Sequence, residues 1–473
     1  MQTEPDKHDS DAVPHFWADL RQVLRGKSRD YTKGPITRSI ILLAIPMVLE
    51  MIMESLFTIA DVYFVAQLGS EHVAVLGITE SVMVSVFAVG IGLSLATTAI
   101  VARRVGEKNA EAARKSATQA VFLSLLMSLP IAALGLLFGK EILMLMGASP
   151  ETAELGTPYI TIMLSTNVIL LLLFVNNAIF RGAGDAVLSM KVLWLANFIN
   201  IVLDPLFIFG WGPFPEMGLT GAAVATCTGR GIGVLFQLVI LYRGSGLIRL
   251  RDSKIRLDIP LLSRIFRLSL GGIMQWFVAT SSWTLLVRVM AMFGENAVAG
   301  YTIGVRLVVF ALLPAWGLSN AAATLVGQNL GAGNPKRAGI CVWRSALLNM
   351  AFLGSVAVVF IVWAEPIVAL FKPEPEVALV AADCLRIVSY SNLGLAVGLV
   401  VVQAFNGAGD TRTPTSVNLL CYWLFQIPVA YLLAKTFELG PRGVFIAIAL
   451  SETMLGLLGA YLFRLGRWKD RQV

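Results

Sequence analysis

The sequence predicts an all-α polytopic membrane protein with twelve transmembrane helices in two pseudo-symmetric six-helix lobes. Three observations support this fold class. Hydrophobic residues make up 56% of the 473-residue chain and charged residues only 14%, a composition far from that of a soluble domain. The apolar residues form twelve continuous segments, each long enough to cross a hydrocarbon core of about 30 Å as a helix. The sequence also repeats itself at a distance of 225 residues, which indicates a duplicated unit.

The apolar segments divide equally between the two copies of the repeat. Those of the first copy lie near 38–64, 74–101, 117–139, 158–180, 188–210 and 218–242. Those of the second copy lie near 263–291, 299–326, 341–364, 383–405, 415–436 and 443–464. The segments are continuously apolar rather than alternating, which excludes a membrane β-barrel.

The repeat is clearest in one short block. The sequence FRGAGD at 180–185 returns as FNGAGD at 405–410. Glycines elsewhere coincide at the same offset, Gly92 with Gly317 and Gly106 with Gly331. After residue 185 the offset drifts to 222. Solenoid repeats are about 20 to 50 residues long, so the period indicates half a protein copied once.

Lysine and arginine are distributed unevenly between the two sides of the proposed spans. The side that carries both termini has 29 of them, and the other side has four. The positive-inside rule therefore predicts that both termini are cytoplasmic. The net charge of +7 reflects this topology, and we predict no nucleic-acid binding. An even number of spans per copy places the pseudo-two-fold axis along the membrane normal.

These patterns divide the chain into five parts. They are a polar cytoplasmic tail (1–35), an N-lobe (36–242), a cytoplasmic inter-lobe loop (243–262), a C-lobe (263–464) and a cytoplasmic C-terminal tail (465–473). We expect a multi-pass protein of the cell (inner) membrane, present as a monomer.

Motifs for catalysis or energy coupling by nucleotides are absent from the sequence. It has no GxxxxGK[ST] loop to bind a nucleotide phosphate. The histidines form no HExxH pair, and the four cysteines have no metal-type spacing. We therefore expect neither an enzyme nor an ATP-driven pump, and no cofactor.

Carboxylates inside the first apolar segment are the strongest functional signal. Each costs roughly 2.5 to 3.5 kcal/mol at the bilayer centre, so such residues usually have a function. Glu50, Glu54 and Asp61 fall within about 40° of one helix face, and Phe57 shares that face. The segment therefore carries an acidic stripe.

The fifth segment carries a similar stripe. Asn197, Asn200 and Asp204 lie on one face. We expect Asp61 and Asp204 to lie in the outer half of the same lobe, beside amide or hydroxyl oxygens. Such a group can bind a hard cation, or the two carboxylates can share a proton.

A purely structural role remains open for some of the buried acids. A carboxylate can be neutralised by a proton or by an arginine partner. Arg230, Arg288 and Arg306 are candidate partners for the buried acids, and this structural role is favoured for Glu50, Glu80 and Glu452. The second copy has no acid at the matching positions of the pair, because Asp61 falls on Leu286 and Asp204 on Val429. The ion site is therefore predicted in the N-lobe alone.

Four segments resemble the multidrug and toxic compound extrusion (MATE) family. They are ADVYFV (60–65), NAIFRGAGD (177–185), NIVLDP (200–205) and GAAVAT (221–226). The resemblance covers nearly the whole chain after the tail. It implies a transporter with twelve spans in two lobes.

The chain is most similar to the DinF-type branch of that family. This resemblance implies a cation-coupling site at five matching positions, Asp61, Asn177, Asn200, Asp204 and Thr226. Asp61 and Asp204 would be the metal ligands if the ion is Na⁺. The other branches use an acid in the seventh span, where this chain has Gln275.

The predicted function is antiport with alternating access. Amphipathic, cationic organic compounds would leave the cell in exchange for H⁺ or Na⁺. Glu50, Glu54, Phe57 and Gln275 are the predicted substrate cleft, and the partners are small organic molecules and the lipid bilayer. A flippase for a lipid-linked precursor, from the same wider superfamily, is the alternative, and it would want a cationic cleft.

Overall fold

The computed structural model describes residues 30–244, 248–252 and 256–471, and helices make up most of these ranges. Most of the predicted N-terminal tail (1–29), parts of the inter-lobe loop (245–247 and 253–255) and residues 472–473 lie outside the described residues. The fold class is confirmed, because twelve apolar helices long enough to cross a membrane occur when one bent pair is counted as a single span.

We number the spans in chain order. The N-lobe contains α1 (Ile36–Ala66), α2 (Ser70–Gly106), α3 (Ala110–Leu145), α4 (Pro150–Gly182), α5 (Ala186–Ile208) and α6 (Gly218–Arg243). The C-lobe contains α7 (Ile259–Met290), α8 (Glu295–Gly331), α9 (Pro335–Val362), α10 (Pro375–Ser389 and Asn392–Gly407), α11 (Arg412–Thr436) and α12 (Pro441–Arg464). The two halves of α10 are bent by 61°.

Side-chain caps begin several of these helices. The Asn109 side chain accepts a hydrogen bond from the Ala112 N–H at 3.0 Å at the start of α3. Asp258 accepts one from the Leu261 N–H at 3.0 Å at the start of α7. Each cap satisfies a backbone donor that the first helical turn leaves without a partner. Short polar residues in the loops therefore define where the long apolar helices start.

The lobes meet at the end of the bundle that carries most of the lysines and arginines, which we call the basic end. Polar contacts cross between the lobes there. Gln328 Nε2 donates to the Gly182 carbonyl at 3.0 Å, and Arg344 Nη1 donates to Thr37 Oγ1 at 3.1 Å. Helices α2 and α8 also cross at this end, and their backbones touch. The basic end is therefore closed.

Glycine makes that close crossing possible. A Cβ added to Gly106 would lie 2.0 Å from the Gln328 carbonyl oxygen, and one added to Gly331 would lie 2.1 Å from the Arg103 carbonyl oxygen. The 225-residue offset converts one contact into the other. We call these four residues the glycine crossing. The two lobes therefore approach each other about a pseudo-two-fold axis.

Candidate functional site

A cavity of about 400 Å³ lies between the two lobes. Its charged wall comes from the N-lobe, which contributes Glu50, Glu54, Arg181 and Arg230. The C-lobe contributes neutral polar groups and the aromatic side chains of Trp276, Trp316 and Tyr422. Most of the remaining wall is aliphatic. A mostly apolar cleft with a few convergent polar groups is typical of a small-molecule site.

Each acid of the cavity wall has an arginine partner. Arg181 Nη1 lies 3.4 Å from Glu50 Oε1, and Arg230 Nη2 lies 3.0 Å from Glu54 Oε1. Asn197 Nδ2 donates a second hydrogen bond to Glu54 Oε2 at 3.1 Å. Within each pair the arginine neutralises the carboxylate, so the charged wall carries no net charge.

The partner of Glu50 was not among the arginines that sequence reasoning named. Arg181 fills that role, and Arg230 pairs with Glu54 instead. The available signal was the repeat itself, because Arg181 replaces the Asn406 of the second copy in the FRGAGD block. An arginine present in one copy only indicates a partner that is also present in that copy only, here Glu50.

Phe57 lies behind the cavity wall, where it supports Arg230. The guanidinium carbon of Arg230 is 4.8 Å from the centre of the Phe57 ring, within the range of a cation–π contact. Both residues are buried, Phe57 at 7% exposure and Arg230 at 6%. Phe57 therefore touches an arginine of the cavity, although it does not itself belong to the lining.

Gln275 lies on the C-lobe side of the cavity and pairs with Asn406. Gln275 Nε2 donates to Asn406 Oδ1 at 3.0 Å, and Asn406 Nδ2 donates back to Gln275 Oε1 at 3.1 Å. Gln275 also donates to the Thr411 carbonyl at 3.2 Å. Its amide is thus held by three hydrogen bonds and lacks the charge of a carboxylate.

A second polar group lies in the N-lobe toward the end opposite the basic end. Asn200 Nδ2 donates to Asp204 Oδ1 at 3.3 Å and to Thr226 Oγ1 at 3.1 Å. Helix α1, which carries Asp61, packs against α5, which carries Asp204, and the two residues are 8% and 0% exposed. We call these four residues the acid group. Helices α1, α5 and α6 each contribute to it.

Several oxygens of the acid group have no hydrogen-bond donor. Asp61 Oδ1, Asp204 Oδ2 and Asn200 Oδ1 are all buried and unpartnered. Across the described ranges, neither aspartate forms an ion pair with a lysine or arginine. A buried negative charge without a compensating positive charge is costly. A proton or a hard cation would supply that positive charge. The oxygens present therefore fit either ion.

The described residues contain no cluster of three or more His, Cys, Asp or Glu side chains suited to a metal. A bound cation would therefore depend on two carboxylates plus neutral amide and hydroxyl oxygens. Such a weakly charged oxygen set suits a monovalent ion better than a transition metal, which prefers nitrogen and sulfur ligands.

Asn177 is the one residue of the predicted cation-coupling set that lies elsewhere. Its Nδ2 donates to Glu50 Oε1 at 3.4 Å, and its Oδ1 accepts from Gln237 Nε2 at 2.7 Å. It also lines the cavity. The structure thus brings Asp61, Asn200, Asp204 and Thr226 together and places Asn177 beside Glu50.

Comparison with known proteins gives a consistent result. A family model described as MatE matches residues 46–206 and 273–432, one match in each lobe. The probable multidrug resistance protein NorM of Thermotoga maritima is 28% identical over 438 residues, 93% of this chain and 94% of that protein. The FAD transporter of Shewanella oneidensis is 25% identical over 437 residues, 91% of this chain and 94% of that protein.

A solved structure has the same architecture. It is the outward-facing conformation of a multidrug resistance MATE family transporter of the MOP superfamily. It matches with a TM-score of 0.86 and 26% sequence identity, covering 95% of this chain and 98% of that one. The likeness extends over both lobes.

Proposed function

The chain belongs to the MATE family of multidrug efflux transporters, and we propose that it is a secondary antiporter that exports amphipathic organic compounds in exchange for H⁺ or Na⁺. As a member, it is a multi-pass membrane transporter and not an enzyme. The proposal adds the coupling ion, the direction of transport and the substrate class. We further propose that it follows the DinF-type pattern, because α7 offers Gln275 and no acid.

One observation carries the proposal, which is the acid group in the N-lobe. Asp61 and Asp204 are buried, lie within electrostatic range of each other and have no arginine partner in the part of the chain that the structure describes. An intramembrane carboxylate kept in this state is typical of an ion pathway. We therefore assign ion binding to this group, with the Asn200 and Thr226 side chains supplying neutral oxygens.

The cavity supports an amphipathic organic substrate. Aromatic side chains of the C-lobe wall offer flat surfaces for rings, and aromatic faces attract organic cations. The charged wall has as many bases as acids, since Glu50 and Glu54 are each paired with an arginine. A cationic substrate must therefore compete with an arginine for its carboxylate.

The closed basic end supports alternating access between the two sides of the membrane. With that end cytoplasmic, as the lysine and arginine distribution predicts, the glycine crossing separates the cavity from the cytoplasm. Rocking of the lobes would open the crossing and admit substrate from the cytoplasm.

The energetics restrict the driving force. Moving one charge through a potential of 100 mV is worth about 2.3 kcal/mol. Exchange of one H⁺ or Na⁺ for one monocationic compound moves no net charge, so the potential contributes nothing. The concentration gradient of the ion, or a second ion, must then drive export.

Transport by inverted membrane vesicles tests the proposal. We expect vesicles that contain the protein to accumulate the dye ethidium when a proton or a sodium gradient is imposed. Vesicles without the protein are the control. Absence of dye movement under both gradients, with folded protein present, would contradict antiport.

A second candidate substrate class is an anionic flavin nucleotide, because one relative bears the name FAD transporter. Arg181 and Arg230 both line the cavity, and an anion would have to compete with Glu50 and Glu54 for them. The same vesicles offered FAD under the same gradients distinguish this class from organic cations. A flippase for a lipid-linked precursor finds less support, because both arginines are paired and the wall is not cationic.

A further inference from the structure

Arg230 lies in the cavity wall and contacts Phe57, which is one helical turn from Asp61 of the acid group on α1. It is 6% exposed and lines the cavity. Its Nη2 is 3.0 Å from Glu54 Oε1, and its guanidinium lies over the ring of Phe57. Asp61 follows Phe57 by four residues, one turn of α1, so the guanidinium over the Phe57 ring also lies near Asp61. One guanidinium therefore serves an acid of the cavity and an acid of the ion site.

These three partners follow one another along one stripe of α1. Glu54 and Asp61 are seven residues apart, which in an α-helix corresponds to about 10.5 Å along the axis and about 20° around it. Phe57 lies between them on the same side. Its ring holds the guanidinium through a cation–π contact that does not fix the direction of the N–H groups. The arginine can therefore turn toward either acid without leaving the ring.

Unpartnered atoms point to the alternative arrangement. Arg230 Nε is buried without an acceptor, and Asp61 Oδ1 is buried without a donor. These two atoms lose solvation without gaining a hydrogen bond, which is unfavourable for each. Glu54 is different, because Asn197 Nδ2 holds its Oε2 at 3.1 Å whether or not Arg230 stays. Departure of the arginine would leave Glu54 fixed in the cavity wall.

Other charged groups face Asp61 but do not make this connection. Glu80 on α2 lies near Asp61, and Arg306 on α8 lies near Glu80. Within the described ranges, neither of them contacts Glu54. Arg230 is the side chain that touches the cavity acid and also reaches the acid group.

We propose that Arg230 is the positioning residue that couples substrate binding to ion binding, by exchanging its guanidinium between Glu54 and Asp61. The proposal rests on the proposed function, since it takes the acid group as the ion site. With the ion bound at Asp61, Arg230 pairs with Glu54 and the cavity wall is neutral. When the ion leaves, the charge on Asp61 attracts Arg230, and Glu54 becomes an uncompensated acid that binds an organic cation. Ion and substrate then exclude each other without sharing a residue.

The test measures how much the ion changes the affinity for a cationic probe. The full-length protein, purified in detergent, is titrated with the fluorescent cation rhodamine 6G by anisotropy. The titration is done with and without saturating Na⁺ at constant ionic strength, and again at acidic and alkaline pH to test H⁺. In the wild type we expect the ion to weaken probe binding roughly 5- to 150-fold, the usual range for coupled sites. In Arg230→Gln we expect this factor to fall below about 2, because Glu54 is then uncompensated with or without the ion. Arg230→Lys should keep part of the factor.

Arg181 provides the matched control. It is the other arginine of the cavity wall and pairs with Glu50. Arg181→Gln should change the probe affinity and keep the wild-type factor. A wild-type factor in Arg230→Gln, or an equal loss in Arg181→Gln, overturns the proposal.

Two further results separate this idea from the proposed function. An ion effect that is absent in the wild type, or undiminished in Asp61→Asn, contradicts ion binding at the acid group and removes the basis for coupling by Arg230. An ion effect that Asp61→Asn removes and Arg230→Gln preserves leaves the ion site standing and contradicts the role of Arg230 alone. Probe binding by each variant confirms that it is folded.

Discussion

The same two positions form a charged pair in the N-lobe and a neutral pair in the C-lobe. Glu50 and Arg181 lie 3.4 Å apart. At the 225-residue offset they correspond to Gln275 and Asn406, which exchange hydrogen bonds of 3.0 and 3.1 Å. Both pairs link the helix that opens a lobe to the fourth helix of that lobe. A polar bridge at this place is thus part of the fold, and its charge is a property of one copy.

The acid group shows the same difference more strongly. Asp61 corresponds to Leu286, which is fully buried in an apolar cluster of the C-lobe. The C-lobe therefore packs a hydrocarbon side chain where the N-lobe keeps a carboxylate. Replacing buried charge by apolar packing often stabilises a protein, so stability alone does not account for the acids of the N-lobe.

Removal of the acids should have the largest effect of all. We expect Asp61→Asn and Asp204→Asn each to reduce ion-driven ethidium transport in proteoliposomes to below about a tenth, since coupling free energies correspond to roughly 5- to 150-fold effects. The control is a variant that removes a buried carboxylate from the C-lobe. Glu452 is 5% exposed and accepts a hydrogen bond from the Tyr422 hydroxyl at 3.2 Å, so Glu452→Gln is that control and should keep most of the transport. Equal losses in the two lobes would refute the asymmetry.

Transplanting the neutral pair into the N-lobe should have the next largest effect. Glu50→Gln alone leaves the half-buried Arg181 without its acid partner, and breaking a buried pair costs up to about 3 to 5 kcal/mol. The double variant Glu50→Gln with Arg181→Asn recreates the amide pair of the C-lobe. We expect its melting temperature in detergent to lie well above that of the single variant. A double variant no more stable than the single one would show that the two bridges are not interchangeable.

Enlarging the glycine crossing should have a moderate effect. Gly106→Ala places a methyl group against a backbone carbonyl, and overpacking of this kind costs about 1 to 3 kcal/mol. Gly331→Ala should match it, because the repeat relates the two contacts. Gly77→Ala, on the same helix as Gly106, meets nothing within 4 Å and serves as the control. Asn320 lines the cavity, and an Asn320→Cys change reports access to it from the basic end. The rate of thiol labelling from that end should rise when Gly106→Ala or Gly331→Ala is added, and not with Gly77→Ala. An unchanged rate would mean that the crossing does not close that end.

The smallest effect is expected at the start of α7. Asp258 caps this helix and lies 2.5 Å from Lys115 of the N-lobe, whereas α1 begins at Pro35 without a side-chain cap. The hydrogen bond from Lys115 and that from the Leu261 N–H lower the pKa of the Asp258 carboxyl from its ordinary value of 3.8. Its contribution to stability is therefore fully present above that value and is lost as the pH falls through the lowered pKa.

Two substitutions at Asp258 separate its contacts. Asp258→Asn keeps a capping side chain and loses the charge, whereas Asp258→Ala loses both. We expect a slightly lower melting temperature for Asn and a lower one again for Ala at neutral pH. The wild-type advantage over Asn should vanish in strongly acidic buffer. An advantage that persists there would assign the effect to something other than the carboxylate charge.

The architecture and part of the site could be predicted from the sequence. Continuous apolar segments and the repeat lead directly to twelve helices in two lobes, because each signal is local or periodic. The grouping of Asn200 with Asp204 also follows from helical spacing of four residues. Bringing Asp61 and Thr226 to the same place requires only that α1, α5 and α6 pack side by side with their polar faces inward.

The pairing inside the cavity could not be predicted in the same way. Whether Glu50 meets Arg181 or Arg230 depends on how α4 and α6 are rotated about their axes relative to α1, and the sequence carries no local signal for that rotation. Asn177 illustrates the same limit, since its position on α4 directs it to Glu50. The 61° bend of α10 occurs at Tyr390 and Ser391. Neither residue is a proline or glycine, the residues that usually mark a helix kink in a sequence.

The glycine crossing has a consequence for the origin of the chain. Its two contacts are copies of each other, as in the self-complementary interface of a two-fold dimer. An ancestor with six helices could have assembled with a second copy of itself through this contact. In such a homodimer every substitution appears twice, so acids could not be confined to one side. In a single fused chain the two halves vary separately, so acids can lie in one half and apolar side chains at the matching places of the other.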